Sequence, residues 1–180
     1  MIVSAKRPWY QEIFAVEPHE IRAVVLGFLY YFFLLGSYYI LRPVRDAMAT
    51  SYGSDPTSLS QLWTATFIGT LIFVPLFAFA SNRVKLQTLL PWVYGFIVLT
   101  LIGFIALFQS TADDRWIAAG FYVWVSVFNM IITSVFWSFM ADLFSRTQAK
   151  RVYGLVAAGG SAGAVAGPAL TALLVKAVGT

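Results

Sequence analysis

The chain has no cysteine and one histidine, His19, in 180 residues. The first absence excludes disulfides, thiolate nucleophiles and cysteine-held metals. The second leaves too few imidazoles to build a histidine metal site and gives Ser-His-Asp chemistry almost no support. Charge is scarce as well. Only 11% of residues are Asp, Glu, Lys or Arg, against about 25% in an ordinary soluble domain. That is too few to cover a water-facing surface. The apolar runs contain no paired carboxylates and no nucleophile with a base, so no enzyme chemistry, cofactor or metal is expected.

What fills the space is apolar. Hydrophobic residues make up 59% of the chain, and mean hydropathy is +0.77. This composition specifies an all-α integral membrane protein whose surroundings are membrane lipids. The net charge of +4 and pI near 9.5 are not a nucleic-acid footprint, because the basic residues come in short clusters between apolar runs.

Five runs, at about 22–41, 61–80, 88–109, 116–141 and 152–175, approach or exceed the roughly 20 residues a helix needs to cross a bilayer. The expected organisation is a segment 1–20 followed by a transmembrane bundle, 21–180. Placing alternate loops on opposite sides puts Lys6, Arg7, Arg22, Arg83, Lys85, Arg146, Lys150 and Arg151 on one side. Arg42, Arg45, Arg115 and Lys176 fall on the other, eight against four. The positive-inside rule then predicts a cytoplasmic N-terminus. Within 1–20, Trp9, Tyr10, Ile13 and Phe14 recur at helical spacing and suggest a helix lying on the inner surface. "EPHE" at 17–20 reads as a helix start. The first apolar run, Ala23 to Leu41, is too long for the roughly 7–15-residue core of a signal peptide.

The fifth run holds "AAGGSAGAVAGPA", 157–169. Gly159, Gly163 and Gly167 are four apart, so on a helix they make a smooth stripe against which another helix can pack. Pro168 removes one backbone hydrogen bond there. No Lys follows as a P-loop requires, and no strand-borne GxG precedes. In the fourth run Ser126, Asn129 and Thr133 share a face. Asn129 falls near mid-membrane, either as a partner for another helix or as a cavity-lining amide. Thr64, Thr66 and Thr70 in the second run suit bonding to their own helix backbone.

The first run ends in "SYYILRPVRDAMAT", 37–50. Tyr31, Leu35, Tyr38, Arg42 and Arg45 are spaced four, three, four and three. One reading makes the arginines interfacial, paired with Asp46, with the helix ending at Pro43 and the stripe scattered. The other continues the helix and makes an outer anion site, since guanidinium forks suit phosphate and carboxylate. Arg42 and Arg45 would then attract a small anionic substrate, Tyr38 would contact it, and Asn129 would line the cavity.

"YYILRPVRDAM" at 38–48 and "FWSFMADLFSRTQAKRVYGLVAAGGSAGAVAGP" at 136–168 resemble the bacterial and plastid nucleotide transporters of the ATP/ADP antiporter type, within the major facilitator group. "GAVAGP" at 163–168 is similar to a fifth-helix motif of several facilitator antiporters. The resemblance runs from about Pro18 to Pro168. It implies a major-facilitator-like bundle with five of six helices of an N-terminal half visible. It further implies alternating access, a bacterial inner-membrane location, a nucleotide substrate such as ATP or ADP, and a role for a basic residue placed as Arg45 is. Asp142, Arg146, Lys150 and Arg151 match a cytoplasmic turn where charge pairs latch a conformation. The chain departs from the pattern twice. "SNRVK" at 81–85 lacks the acid of the usual loop, and "YVWVSVFNM" at 122–130 is neutral where exchangers carry an acid. A further C-terminal half is expected to complete the pathway. The alternative is a sensor or scaffold on the same frame.

Overall fold

The computed structural model describes residues 16–109 and 114–178. The expected surface helix around Trp9 to Phe14 lies outside them. Among the described residues there are five helices and no strand: α1 Ile21–Tyr52, α2 Pro56–Arg83, α3 Leu86–Phe108, α4 Asp114–Leu143 and α5 Arg146–Val178. Each is long and apolar enough to span a membrane, as an all-α membrane chain requires.

The helices outrun the apolar segments. α1 has 32 residues, or about 48 Å at roughly 1.5 Å per residue, whereas the hydrocarbon core is about 30 Å thick. The apolar run ends at Leu41 and the helix does not. It passes through Pro43, which gives up one backbone bond, and continues to Tyr52. Burial explains the continuation: Ala49 and Tyr52 at its end pack with Leu62 and Tyr122. The expectation that Pro43 could end the helix is therefore corrected.

Local sequence sets the helix starts. At α2, Asp55 caps with its carboxylate, accepting from the Ser58 N–H at 3.0 Å and the Ser58 hydroxyl at 2.6 Å, and Pro56 opens the first turn. Gly53 is required just before it, because a Cβ there would strike the Ser58 side chain. At α5 the capping box is "SRTQ". The Ser145 N–H donates to Gln148 Oε1 at 2.9 Å, and the Gln148 N–H donates back to Ser145 Oγ at 3.4 Å. At α1, "EPHE" forms a turn in which the Glu17 N–H donates to Glu20 Oε2 at 3.0 Å.

The chain divides into two compact units, Met1–Tyr39 with Met140–Thr180, and Ile40–Phe139. In the first, α5 lies against α1 through glycine. A Cβ on Gly159 would run into the Phe28 carbonyl, one on Gly163 into the Phe32 carbonyl, and one on Gly160 into the Tyr31 ring. Gly36 completes the approach, its own added Cβ coming within 3.7 Å of the Gly163 carbonyl oxygen. Gly167 is buried, and α5 continues through Pro168. Gly27 abuts Met140 and Val156.

In the second unit the core is carried by α4, with Val127, Ile131 and Val135 buried against Phe77, Leu90 and Val93. Rings join α3 to α4: Phe104 meets Phe121 at 5.3 Å and Trp124 at 5.5 Å, and Phe96 meets Phe128 at 5.6 Å. Large apolar side chains such as Phe67, Leu71, Trp92 and Leu99 are exposed on α2 and α3, as lipid-facing helices require.

Candidate functional site

Arg45, in the second unit, is held from several sides. Its Nε and Nη2 donate to Asp46 Oδ1 at 3.0 and 2.7 Å. Its Nη1 donates to Ser126 Oγ on α4 at 3.4 Å. The guanidinium carbon stands 5.1 Å from the centre of the Tyr122 ring, within cation–π range. The Ser126 hydroxyl donates to the Tyr122 carbonyl at 2.8 Å, which fixes the oxygen that Arg45 uses. The Arg45 side chain is 16% exposed, so the fork is oriented but still reachable.

Asp46 also reaches the second arginine. Its other oxygen, Oδ2, lies 3.9 Å from Arg42 Nε, and the Arg42 and Asp46 side chains are each about half exposed. Continuation of α1 past Pro43 makes this triad possible, because Arg42 and Asp46 are then one helical turn apart. Asn129 lies three residues beyond Ser126 on α4. Its Oδ1 is buried and has no hydrogen-bond partner among the described residues. Tyr38 belongs to the first unit and packs edge-on to Tyr39 at 5.3 Å. Thr64 and Thr70 bond their own helix carbonyls. Thr66 Oγ1 is buried with no such bond.

A cavity of about 710 Å³ also lies in the second unit, walled by Phe96, Phe104, Trp116 and Trp124, with Tyr52 and Gln61 among its few polar groups. Its lining carries no charged side chain, so it is chemically unsuited to a phosphate. Among the described residues no cluster of three His, Asp or Glu could hold a metal.

The first unit holds a second charge cluster, and its membership differs from the sequence expectation. Arg151 Nη2 donates to Glu20 Oε1 at 2.9 Å and Nη1 to Glu17 Oε1 at 3.2 Å. Asp142, expected beside Arg146 and Arg151, pairs with neither. Asp142, Arg146 and Lys150 are exposed and make no ion pair among the described residues. The physical reason is burial. Glu20 is 2% exposed, and a buried carboxylate needs a cation far more than an exposed aspartate does. The Glu17 N–H is the main reason the Glu20 carboxyl lies below its ordinary range, with Gln148 and Arg151 helping and burial opposing. His19 Nδ1 stands 3.6 Å from Glu17 at the rim.

The sequence reading missed Tyr122 and Ser126 as supports for Arg45, and Glu17 and Glu20 as partners of Arg151. Separation in the chain hid them. The available signal was the polar face of α4 that Ser126 shares with Asn129 and Thr133.

Five membrane-long helices and a glycine-packed helix pair among the described residues define a multi-pass helical membrane protein. The Major Facilitator Superfamily profile matches residues 27–180, and the chain belongs to that family. It is similar to ADP,ATP carrier protein 1 of Chlamydia muridarum and to the protein of the same name in Chlamydia trachomatis serovar D. Each is 24% identical over 194 residues, covering 88% of this chain. The chain spans 36% of the length of each relative. No solved structure matches it.

Proposed function

We propose that the chain belongs to a secondary carrier that moves an organic anion, with nucleotides the favoured class, by alternating access. The carrying observation is Arg45, a guanidinium held in a fork by Asp46, Ser126 and the Tyr122 ring on otherwise apolar helices. Such a group is costly to keep near a membrane and marks a substrate path. Arg42 adds a second guanidinium, and bidentate donation suits phosphate oxygens. The unpartnered Asn129 amide, one turn along α4 from Ser126, lines the same path, and Tyr38 contacts the substrate further along α1. The relatives' name, ADP,ATP carrier protein 1, supports nucleotides.

In this reading the N-terminus is cytoplasmic in a bacterial inner membrane. Arg42 and Arg45 then face the outer side. Arg151 with Glu17 and Glu20 latches the inner side, and Asp142, Arg146 and Lys150 lie around that latch as exposed charges. Gly159, Gly163 and Gly167, with Pro168, form the seam of the α1–α5 pair.

The test is counterflow in proteoliposomes carrying the full-length gene product. Vesicles are preloaded with unlabelled ATP, and entry of labelled ATP is followed. Saturable entry that depends on the preload is expected, and Arg42→Ala with Arg45→Ala abolishes it. Unchanged rate and affinity in the double variant would refute the site.

A further inference from the structure

The place an anion would take on Arg45 is already filled by the protein's own anion. Two guanidinium nitrogens of Arg45 converge on Asp46 Oδ1, and Arg42 Nε faces Oδ2 of the same carboxylate. Asp46 thus bridges the two arginines as a substrate carboxylate or phosphate would. Unlike Arg45, it is half exposed. The Ser126 hydroxyl donates to the Tyr122 carbonyl and not to Asp46, so the ion-pair partners of Asp46 among the described residues are the two arginines.

We infer that Asp46 is a resident anion that sets the charge requirement of the site, a deepening that rests on the anion-carrier reading above. A substrate must displace or share this carboxylate. A monocarboxylate that replaces it exchanges one single-charge pair for another, while losing freedom of motion and hydration. It has nothing to gain. A di- or triphosphate carries more charge and several acceptor oxygens. It engages the Arg45 fork and Arg42 at once, in the bidentate manner guanidinium favours. Asp46 can then turn away into the water that already reaches it. Discrimination between multiply charged phosphates and monoanions comes from an internal competitor, with no steric filter required. The same carboxylate lowers absolute affinity, because part of the binding energy goes into displacing it. Selectivity is gained by a repulsive element that every weak ligand must overcome.

The charged groups that face this carboxylate are Arg42 and Arg45 on α1. On α4 the neighbouring groups are the Ser126 hydroxyl and the Tyr122 ring, which carry no charge. Removing the Asp46 charge therefore takes one carboxylate away from two guanidiniums and leaves Arg45 still supported from α4. This variant binds more, and a gain of affinity cannot arise from misfolding.

The experiment is ATP counterflow with the full-length protein, run for wild type, Asp46→Asn, Asp46→Glu and Arg45→Gln, each with and without acetate as a monocarboxylate competitor. In wild type, acetate has no effect beyond that of ionic strength. Asp46→Asn lowers the half-saturating ATP concentration by about three- to tenfold, equivalent to roughly 0.7–1.4 kcal/mol, and acetate now competes. Asp46→Glu keeps the charge and behaves as wild type toward acetate. If Asp46→Asn leaves both half-saturation and acetate sensitivity unchanged while Arg45→Gln abolishes ATP exchange, the anion site stands and the resident-anion role is overturned. If Arg45→Gln also leaves exchange untouched, the site reading fails and this inference falls with it.

Discussion

Arg151 donates to Glu20 across 131 residues of sequence, Nη2 to Oε1 at 2.9 Å, and so ties the start of α1 to the first turns of α5. Glu20 is buried and Arg151 is one-third exposed. The pair is thus a partly buried ion pair whose buried member is the acid. Removal of the cation takes the charged partner from that acid and leaves it the Glu17 N–H. Arg151→Gln should cost about 1–3 kcal/mol, the usual penalty for an unsatisfied buried polar group and below that for a fully buried pair. Asp142→Asn should cost nothing measurable, since Asp142 has no ion-pair partner among the described residues. Thermal unfolding in detergent, with both variants side by side, checks the contrast.

The same carboxyl gives a pH dependence with a definite sign. Its folded value lies below the ordinary 4.5, chiefly through the Glu17 N–H. A depressed acid contributes stability that is fully present above its unfolded value and is lost as pH falls through the folded value. The groups that face it are Glu17, Arg151, Gln148 and His19. The melting-temperature gap between wild type and Glu20→Gln should therefore be constant from pH 7 down to about pH 5. It should close below the ordinary value of 4.5. A gap that widens on acidification would contradict the sign.

The glycine seam makes a sharper mechanical prediction. A Cβ on Gly163 meets the Phe32 carbonyl and comes within 3.0 Å of the Gly36 nitrogen. Backbone cannot rotate away as a side chain can. Gly163→Leu should therefore destabilise by at least the roughly 1–3 kcal/mol of an overpacked core, and Gly159→Leu similarly against Phe28. Gly95 and Gly103 on α3 have open space around the added Cβ. Gly95→Ala and Gly103→Ala should be neutral or slightly stabilising, by up to about 1 kcal/mol, because alanine holds a helix better. Detergent unfolding of the four variants distinguishes packing from a general intolerance of glycine replacement.

The helices were legible because a run of apolar residues in lipid has one backbone solution. Their ends were less so. Arg42 marks the edge of hydrocarbon, and α1 nonetheless runs to Tyr52 because its far end packs on Leu62 and Tyr122, which no local signal reveals. The Gly159 and Gly163 stripe was visible as spacing. Gly160, off that spacing, takes the Tyr31 ring and was not. Asp46 as a partner of the arginines was visible because it is adjacent. Glu20 as the partner of Arg151 was not, and the nearer Asp142 drew the expectation instead.

Asn129 separates a structural amide from a substrate contact. Its Oδ1 is buried without a donor among the described residues, so the folded protein loses no such bond when the side chain is replaced. Asn129→Leu should leave the melting temperature unchanged or raise it, since an unpaired buried acceptor is a cost removed. If the amide serves the substrate, the same change takes one hydrogen bond from it. That bond is worth about 1 kcal/mol, or roughly a fivefold rise in half-saturating ATP. Ser126→Ala, which removes the Arg45 support, should act differently. It loosens the guanidinium and weakens exchange while leaving Asn129 in place. A fall in melting temperature for Asn129→Leu with unchanged half-saturation would assign the amide to helix packing. Unchanged melting temperature with raised half-saturation assigns it to the path an anion takes past Arg45.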